Sequence, residues 1–180
     1  MSCGVESLDT YLQTQASEDM RHRANAVFVL VPLDTPDRIA GFFTLCASAL
    51  DQGDVPEAAR RWIPRYPLVS ATLLGRLAIA REYQGQGLSS VLLARALRKA
   101  YESAATVGSS MVVVDAIDDG AARFCEAHGF VRLPDSARLV LPISQIGRMV
   151  EGGRTVARAR TPTAATMSSA GMATHRLNEP

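Results

Sequence analysis

The chain has 180 residues, 47% of them hydrophobic, which is enough for one well-buried core and too short for two ordinary domains. Its 19 Lys and Arg against 18 Asp and Glu leave a net charge of +1, so bulk electrostatics neither demand nor exclude a nucleic-acid partner, and any RNA contact has to be a local patch. Cys3, Cys46 and Cys125 are too few and scattered for a disulfide framework or a metal cluster, the three histidines lack ligand-like spacing, and no apolar run approaches ~20 residues. A cytoplasmic protein with no metal, no export signal and no membrane span is expected.

In chain order, Ser7 can cap a helix carrying Leu8, Tyr11 and Leu12 on one face, and the polar run through Arg21, His22 and Arg23 reads as its exposed end. Ala26 to Val31 reads as a strand, Pro32 to Asp37 as a turn, and Arg38 to Leu50 as a second strand pairing with the first. Asp54 to Trp62 can hold a short helix, Pro64 and Pro67 break the chain, and Leu68 to Ala80 supplies a third long apolar strand.

That strand runs straight into Gln84-Gly85-Gln86-Gly87-Leu88-Ser89-Ser90. The two glycines permit backbone angles closed to other residues, and the helix opening at Leu88 offers free N–H groups and the positive end of its dipole. A strand, a glycine turn and a helix in that order form a pyrophosphate cradle. A Walker loop would need a Lys-Ser/Thr pair, and a dinucleotide fold an acidic landmark after the next strand; neither is present.

From Leu88 to Val107 apolar residues fall at 88, 92, 93, 96, 97, 100, 101 and 104, while Arg95, Arg98, Lys99 and Glu102 share the opposite face, a helix that Gly108 ends. Met111 to Val114 reads as a buried central strand. Asp118 can cap a helix over Ala121 to His128, Gly129 can close it, and Phe130 to Leu133 with Leu139 to Ile143 form a last strand pair. The fold class is therefore α/β (α+β) with a mixed sheet. Residues 1–149 form the domain, and 150–180, rich in Arg, Thr, Ala, Ser and Gly, are expected to be a disordered tail whose four arginines can reach RNA or a partner. Of the 19 basic residues only Lys99 is a lysine, a bias that suits bidentate phosphate contacts and is equally explained by coding preference.

The loop Gln84 to Ser89 resembles the Q/R-x-x-G-x-G/A signature of the GNAT acetyltransferases, with Ser89 in place of the final Gly or Ala, and the resemblance spans roughly residues 4–146. It implies a mixed, mostly antiparallel sheet flanked by helices and splayed at an acetyl-CoA site. It also implies that Leu77, Ala78 and Ile79 hold the pantetheine arm through unpaired main-chain groups, that Gln84, Gly85, Gln86, Gly87, Leu88, Ser89 and Ser90 hold the diphosphate, and that Ala121 and Phe124 contact the cofactor. More narrowly, CGVESLDTYL, LLGRLAI and the VDAIDDGAARF segment with its E-x-x-GF ending are similar to the TacT-type toxins of toxin-antitoxin modules. That likeness implies acetylation of the α-amine of aminoacyl-tRNA, a block of translation, a ribbon-helix-helix antitoxin and a homodimer.

The chemistry is attack of an amine on a thioester, which needs a neutral amine, a place for the oxyanion and a proton for the departing thiolate. An aminoacyl α-amine has a pKa near ~7.7 or lower, so about half or more is already neutral at cytoplasmic pH and no strong base is required. The family places a tyrosine acid in F-Y-x-x-x-G-F, and this chain reads Phe124-Cys125-Glu126-Ala127-His128-Gly129-Phe130. Three readings stand: Cys125 donates the proton, positioning alone sustains a slower reaction, or the protein is a catalytically impaired acyl-CoA-binding partner. Helical spacing from Ala121 also fits Cys125 as a small core residue. Tyr83 and Tyr101 are further phenols, the latter on an apolar face, while Glu126 and His128 read as solvated and helix-end residues. Arg76 and the group Arg60, Arg61 and Arg65 are candidate contacts to tRNA phosphates, with solvent-facing arginines the plainer reading. Acetylation of a small amine or a protein terminus is the alternative within the same fold.

Overall fold

The computed structural model describes residues 1–63, 65–150 and 172–176. Its strands follow the order β5 (Val131–Arg132), β6 (Arg138–Pro142), β4 (Met111–Asp115), β3 (Leu68–Ile79), β2 (Gly41–Asp51), β1 (Ala26–Pro32) and β7 (Met172–Arg176). Two compact units can be described, one built on Met1–Cys46, Gly75–Ala96 and the described residues 172–176, the other on Ala47–Leu74 and residues 97–150. Strands β2 (Gly41–Asp51) and β3 (Leu68–Ile79) and helix α4 (Leu88–Val107) run from one unit into the other.

The first unit opens with α1 (Glu6–Thr14) and α2 (Ala16–Arg21), followed by β1 (Ala26–Pro32). Ser7 lies inside α1 and does not cap it; the carboxylate of Asp9 instead accepts from the Cys3 N–H at 2.7 Å and the Ser2 hydroxyl at 3.0 Å. The polar stretch expected to be an exposed end is largely α2, because Ala16 is buried and Met20 packs beneath it on the core. β1 and β2 form the expected antiparallel hairpin, from Ala26↔Leu45 to Leu30↔Gly41. Tyr11, Val27, Val29, Val31, Phe42 and Ala78 share one buried cluster, with the Tyr11 and Phe42 rings stacked at 6.2 Å.

A strand β7 (Met172–Arg176) pairs antiparallel with β1, from Phe28↔Arg176 to Pro32↔Met172. The expectation of an unstructured tail over 150–180 therefore needs correcting at these positions; residues 151–171 and 177–180 lie outside the described ones. A short strand added to a sheet edge is held by main-chain hydrogen bonds, which leave no compositional trace.

In the second unit, α3 (Glu57–Arg60) and the turns around it cover a face of the sheet through Val55, Ala59 and Ile63, packed with Leu50, Val69, Met111, Val113 and Val140. β3 pairs in parallel with β4 (Met111–Asp115) over Ala71–Leu74. β4 then pairs antiparallel with β6 (Arg138–Pro142), and β6 with β5 (Val131–Arg132), giving the mixed sheet expected. Helix α5 (Asp119–Ala127) is capped as its sequence predicts, the Asp118 carboxylate accepting from the Ala121 N–H at 2.7 Å, and Gly129 closes it at φ +92°. A further helix, α6 (143–150), was not legible in the sequence. Its Gly147 sits where a Cβ would come within 2.9 Å of the Tyr101 ring, which shows Tyr101 to be a packing residue.

Candidate functional site

The first unit gathers the glycine loop, the end of β3 and Arg76. After β3 the chain makes one tight turn, Arg81–Tyr83, and reaches Gly85 and Gly87 at φ +76° and +75°. A Cβ on either glycine would meet no atom within 4 Å, so the protein's own packing does not explain them. The left-handed backbone does: it costs an L side chain about 1–2 kcal/mol and turns successive amides toward one side. Ser90 donates to the Gly87 carbonyl at 3.2 Å, which starts α4. Leu88 and Ser89 lie in its first turn, where N–H groups have no intrahelical acceptor, and they are joined by the positive end of a helix of 20 residues. Two left-handed glycines with open space at their Cβ positions, followed by the free amides of a helix start, are residues that could hold a diphosphate.

The loop is anchored from a distance. The Gln84 side chain donates from Nε2 to the carbonyls of Cys3 and Ile79, both at 2.9 Å, and the Arg81 N–H donates to the Ser2 carbonyl at 2.8 Å. Gly4, at φ +93°, lies under the Arg81 guanidinium, which a Cβ there would approach to 2.7 Å. The Ile79 carbonyl is thus occupied by Gln84 and is not among the unpaired main-chain groups expected there; Leu77 and Ala78 lie on β3 beyond its ladder with β4. Gly41 faces this stretch; a Cβ there would be 2.8 Å from the Ala78 carbonyl oxygen and 2.7 Å from Ile79 Cδ1.

Arg76 lies flat over Tyr11, its Cζ 3.5 Å from the ring centroid, and the Tyr11 hydroxyl donates to Asp19 at 2.9 Å, as does Asn25 Nδ2 at 2.7 Å. Sequence reading placed Arg76 in the site and missed this group, because nothing in the spacing of Tyr11, Asp19 and Asn25 links them before α1 and α2 fold back on β1. Burial, and then the Asp19 carboxylate, push the Tyr11 phenol up to about 12, and burial raises the Cys46 thiol against the opposing pull of Arg76.

A phenol whose pKa is about 10 in the unfolded chain and about 12 in the fold adds stability below pH ~10 that is lost as pH rises toward 12. Tyr11→Phe is expected to be less stable than wild type at neutral pH by about 1–3 kcal/mol, for the lost bond to a charged acceptor. It should also show a smaller fall in Tm across that alkaline window. Thermal melts of both proteins from neutral pH to about pH 12 check this.

The second unit holds Ala121, Phe124, Cys125, Arg60, Arg61 and Arg65. Cys125 is buried at 5% exposure, and burial, with Glu126 beside it, raises its thiol above the ordinary 9.0. The thiol is therefore neutral at physiological pH. Glu126 pairs with Arg132 at 3.0 Å, and His128 Nδ1 lies 2.8 Å from the Phe124 carbonyl with its ring 4.5 Å from the Phe124 ring, so both have structural employment. The Ala121 N–H is taken by the Asp118 cap. Arg60 is not a free cation: its Nε donates to the Val55 carbonyl and its Nη2 to the Gly53 carbonyl, each at 2.7 Å. Arg61 and Arg65 are exposed.

A cavity of about 620 Å³, bordered by Leu50, Asp54, Asp115, Leu133, Ser136 and Arg138, also lies in this unit, with Arg138 and Asp115 joined by bidentate bonds of 2.6 and 2.9 Å. Among the described residues no helix is long and apolar enough to cross a membrane, and no cluster of His, Cys, Asp or Glu is arranged to hold a metal ion.

Comparison with known proteins bears on this geometry directly. The family model described as "Acetyltransferase (GNAT) family" matches residues 5–130. A tRNA-acetylating toxin of Mycobacterium tuberculosis (strain ATCC 25618 / H37Rv) is 33% identical over 123 residues, 68% of this chain and 71% of that protein. The structure of a tyrosine-to-phenylalanine mutant of KacT is similar at TM-score 0.76 and 30% identity, over 82% of this chain and 88% of that one. AtaT complexed with acetyl-methionyl-tRNAfMet is similar at TM-score 0.75 and 28% identity, over 83% and 89%. AtaTR bound with AcCoA is similar at TM-score 0.70 and 29% identity, over 83% and 88%. A glycine cradle at the mouth of a long helix, on a sheet of this order and within a sequence matched from residue 5 to residue 130, places the chain in the acetyltransferase (GNAT) family.

Proposed function

We infer that the protein is an acetyl-CoA-dependent N-acetyltransferase of the toxin type, which acetylates the α-amine of aminoacyl-tRNA and so blocks translation. The observation that carries the acyl-donor half is the cradle of Gly85, Gly87 and the first turn of α4. The acceptor half is supported by the likeness to a tRNA-acetylating toxin over two thirds of the chain.

Acetyl-CoA supplies the acyl group as an activated thioester. The amides of Gly85 to Ser89 bind its diphosphate, while Leu77 and Ala78 orient the pantetheine arm, converting a bimolecular encounter into a positioned one. The acceptor amine, half or more neutral at cytoplasmic pH, forms the new N–C bond and loses its proton to solvent as the C–S bond breaks. Cys125, at the tyrosine position of the F-Y-x-x-x-G-F motif, is the proposed proton donor to the leaving thiolate. Its raised pKa keeps the proton available and close in basicity to the sulfur that receives it. Arg76, one residue before Leu77, is the candidate contact to the acceptor end of the tRNA. A ribbon-helix-helix antitoxin, a homodimer and a cytoplasmic location complete the reading.

Incubation with labelled acetyl-CoA and total charged tRNA should label N-acetylaminoacyl-tRNA, and expression without an antitoxin should arrest growth. Label on free amines or protein termini, with no need for RNA, would move the protein to the alternative of the same fold. Uptake of acetyl-CoA with no transfer to any acceptor would make it a binding partner only.

A further inference from the structure

Trp62, the one tryptophan of the chain, stands between α3 and β3 with two guanidinium groups against it, Arg148 Cζ at 4.4 Å from the ring centroid and Arg61 Cζ at 5.0 Å. The two arginines come from segments far apart in sequence, Arg148 from α6, and both are exposed. Four other arginines are neutralised by carboxylates, Arg38 by Glu82, Arg98 by Glu102, Arg132 by Glu126 and Arg138 by Asp115. Among the described residues Arg61, Arg65 and Arg148 have no such carboxylate.

Two cations gathered on one ring repel each other, and a bridging anion removes that repulsion. Stacking against the indole also fixes the guanidinium planes while leaving their N–H edges outward, the arrangement that meets phosphate oxygens in a fork. The ring serves as a platform: among the described residues its buried Nε1 has no hydrogen-bond partner. Close by in sequence, Tyr66 exposes 64% of its surface. Arginines interleaved with open aromatic rings, as in Arg61-Trp62-Ile63-Pro64-Arg65-Tyr66, suit a phosphodiester chain with unstacked bases better than an acidic protein segment.

We propose that Arg61 and Arg148, braced on Trp62, bind adjacent phosphates of the RNA acceptor, with Arg65 and Tyr66 extending the contact. This rests on the aminoacyl-tRNA reading and deepens it: Trp62 is a positioning residue, Arg148 joins the binding surface, and Arg60 leaves it.

The test is tRNA binding by the full chain over a salt series, comparing wild type with Arg61→Gln, Arg148→Gln, the double variant, Trp62→Leu and Trp62→Phe. The double variant should bind tRNA at least about tenfold more weakly at moderate salt, and lower the slope of log K against log salt by about 1.4, roughly 0.7 per phosphate on a single strand. Acetyl-CoA binding should stay unchanged. Trp62→Leu should weaken tRNA binding with both arginines present, and Trp62→Phe should restore most of it. Unchanged affinity and slope in the double variant would overturn the proposal while leaving the enzyme's substrate intact. Competition by polyglutamate as effective as by RNA of equal charge would overturn it in favour of an acidic protein partner. A wild type that binds no tRNA would remove the substrate reading and this proposal together.

Discussion

Gly87→Val is expected to raise the Kd for acetyl-CoA by about 100-fold or more, equivalent to about 2.7 kcal/mol, while lowering Tm by only a few degrees. The two effects separate because of what surrounds Gly87. At φ +75° a β-branched residue is strained, and relaxing it swings the Leu88 and Ser89 amides away from the direction in which a diphosphate is held. No protein atom lies within 4 Å of the added Cβ, so the core is undisturbed and the cost falls on the ligand. Gly85→Val should behave alike. Gly53→Ala is the control, since Gly53 also has open space around it and no left-handed backbone. Calorimetric titration with acetyl-CoA, paired with thermal melts, reads both quantities. Retained affinity in Gly87→Val would place the diphosphate elsewhere.

Cys125→Ala is expected to lower kcat by about 100-fold with KM for acetyl-CoA unchanged, the low end of what a positioned proton donor contributes. The direction of the pH dependence follows from the burial that raises this thiol above 9.0. A donor must be protonated, so wild-type kcat should hold through neutral pH and fall as pH rises past the thiol's raised pKa; the alanine variant should lack that alkaline limb. Cys125→Tyr restores the family's phenol at a position only 5% exposed, and overpacking there should cost about 1–3 kcal/mol of stability. Steady-state rates on aminoacyl-tRNA from about pH 6 to 10 decide the matter. Equal rates for wild type and Cys125→Ala at every pH would mean that positioning and solvent suffice.

Most of the proposed acyl-donor cradle was legible before the structure. Gly85, Gly87 and the apolar face of α4 are local signals, a turn and a helical period that need no tertiary information. The cap at Asp118 was legible for the same reason, because a cap is a contact between near neighbours in the chain. What escaped depends on distant contacts. Arg60 looked like one more cation beside Arg61, and only the fold shows its guanidinium closed on the carbonyls of Val55 and Gly53. Ser7 has the chemistry of a cap, yet Asp9 holds the residues before α1. The pairing of Trp62 with Arg148 joins positions that no periodicity connects, although a lone tryptophan set among Arg60, Arg61 and Arg65 was a visible hint.

Phosphate-binding turns are ordinarily assembled from neighbours in sequence, and an excised segment can hold one. Here the carbonyl of Cys3 fastens the side chain of Gln84 across a separation of 81 residues. Competence to take up the acyl carrier should therefore emerge late in folding, after that long-range closure, and a peptide spanning only β3 through α4 should fail to acquire it.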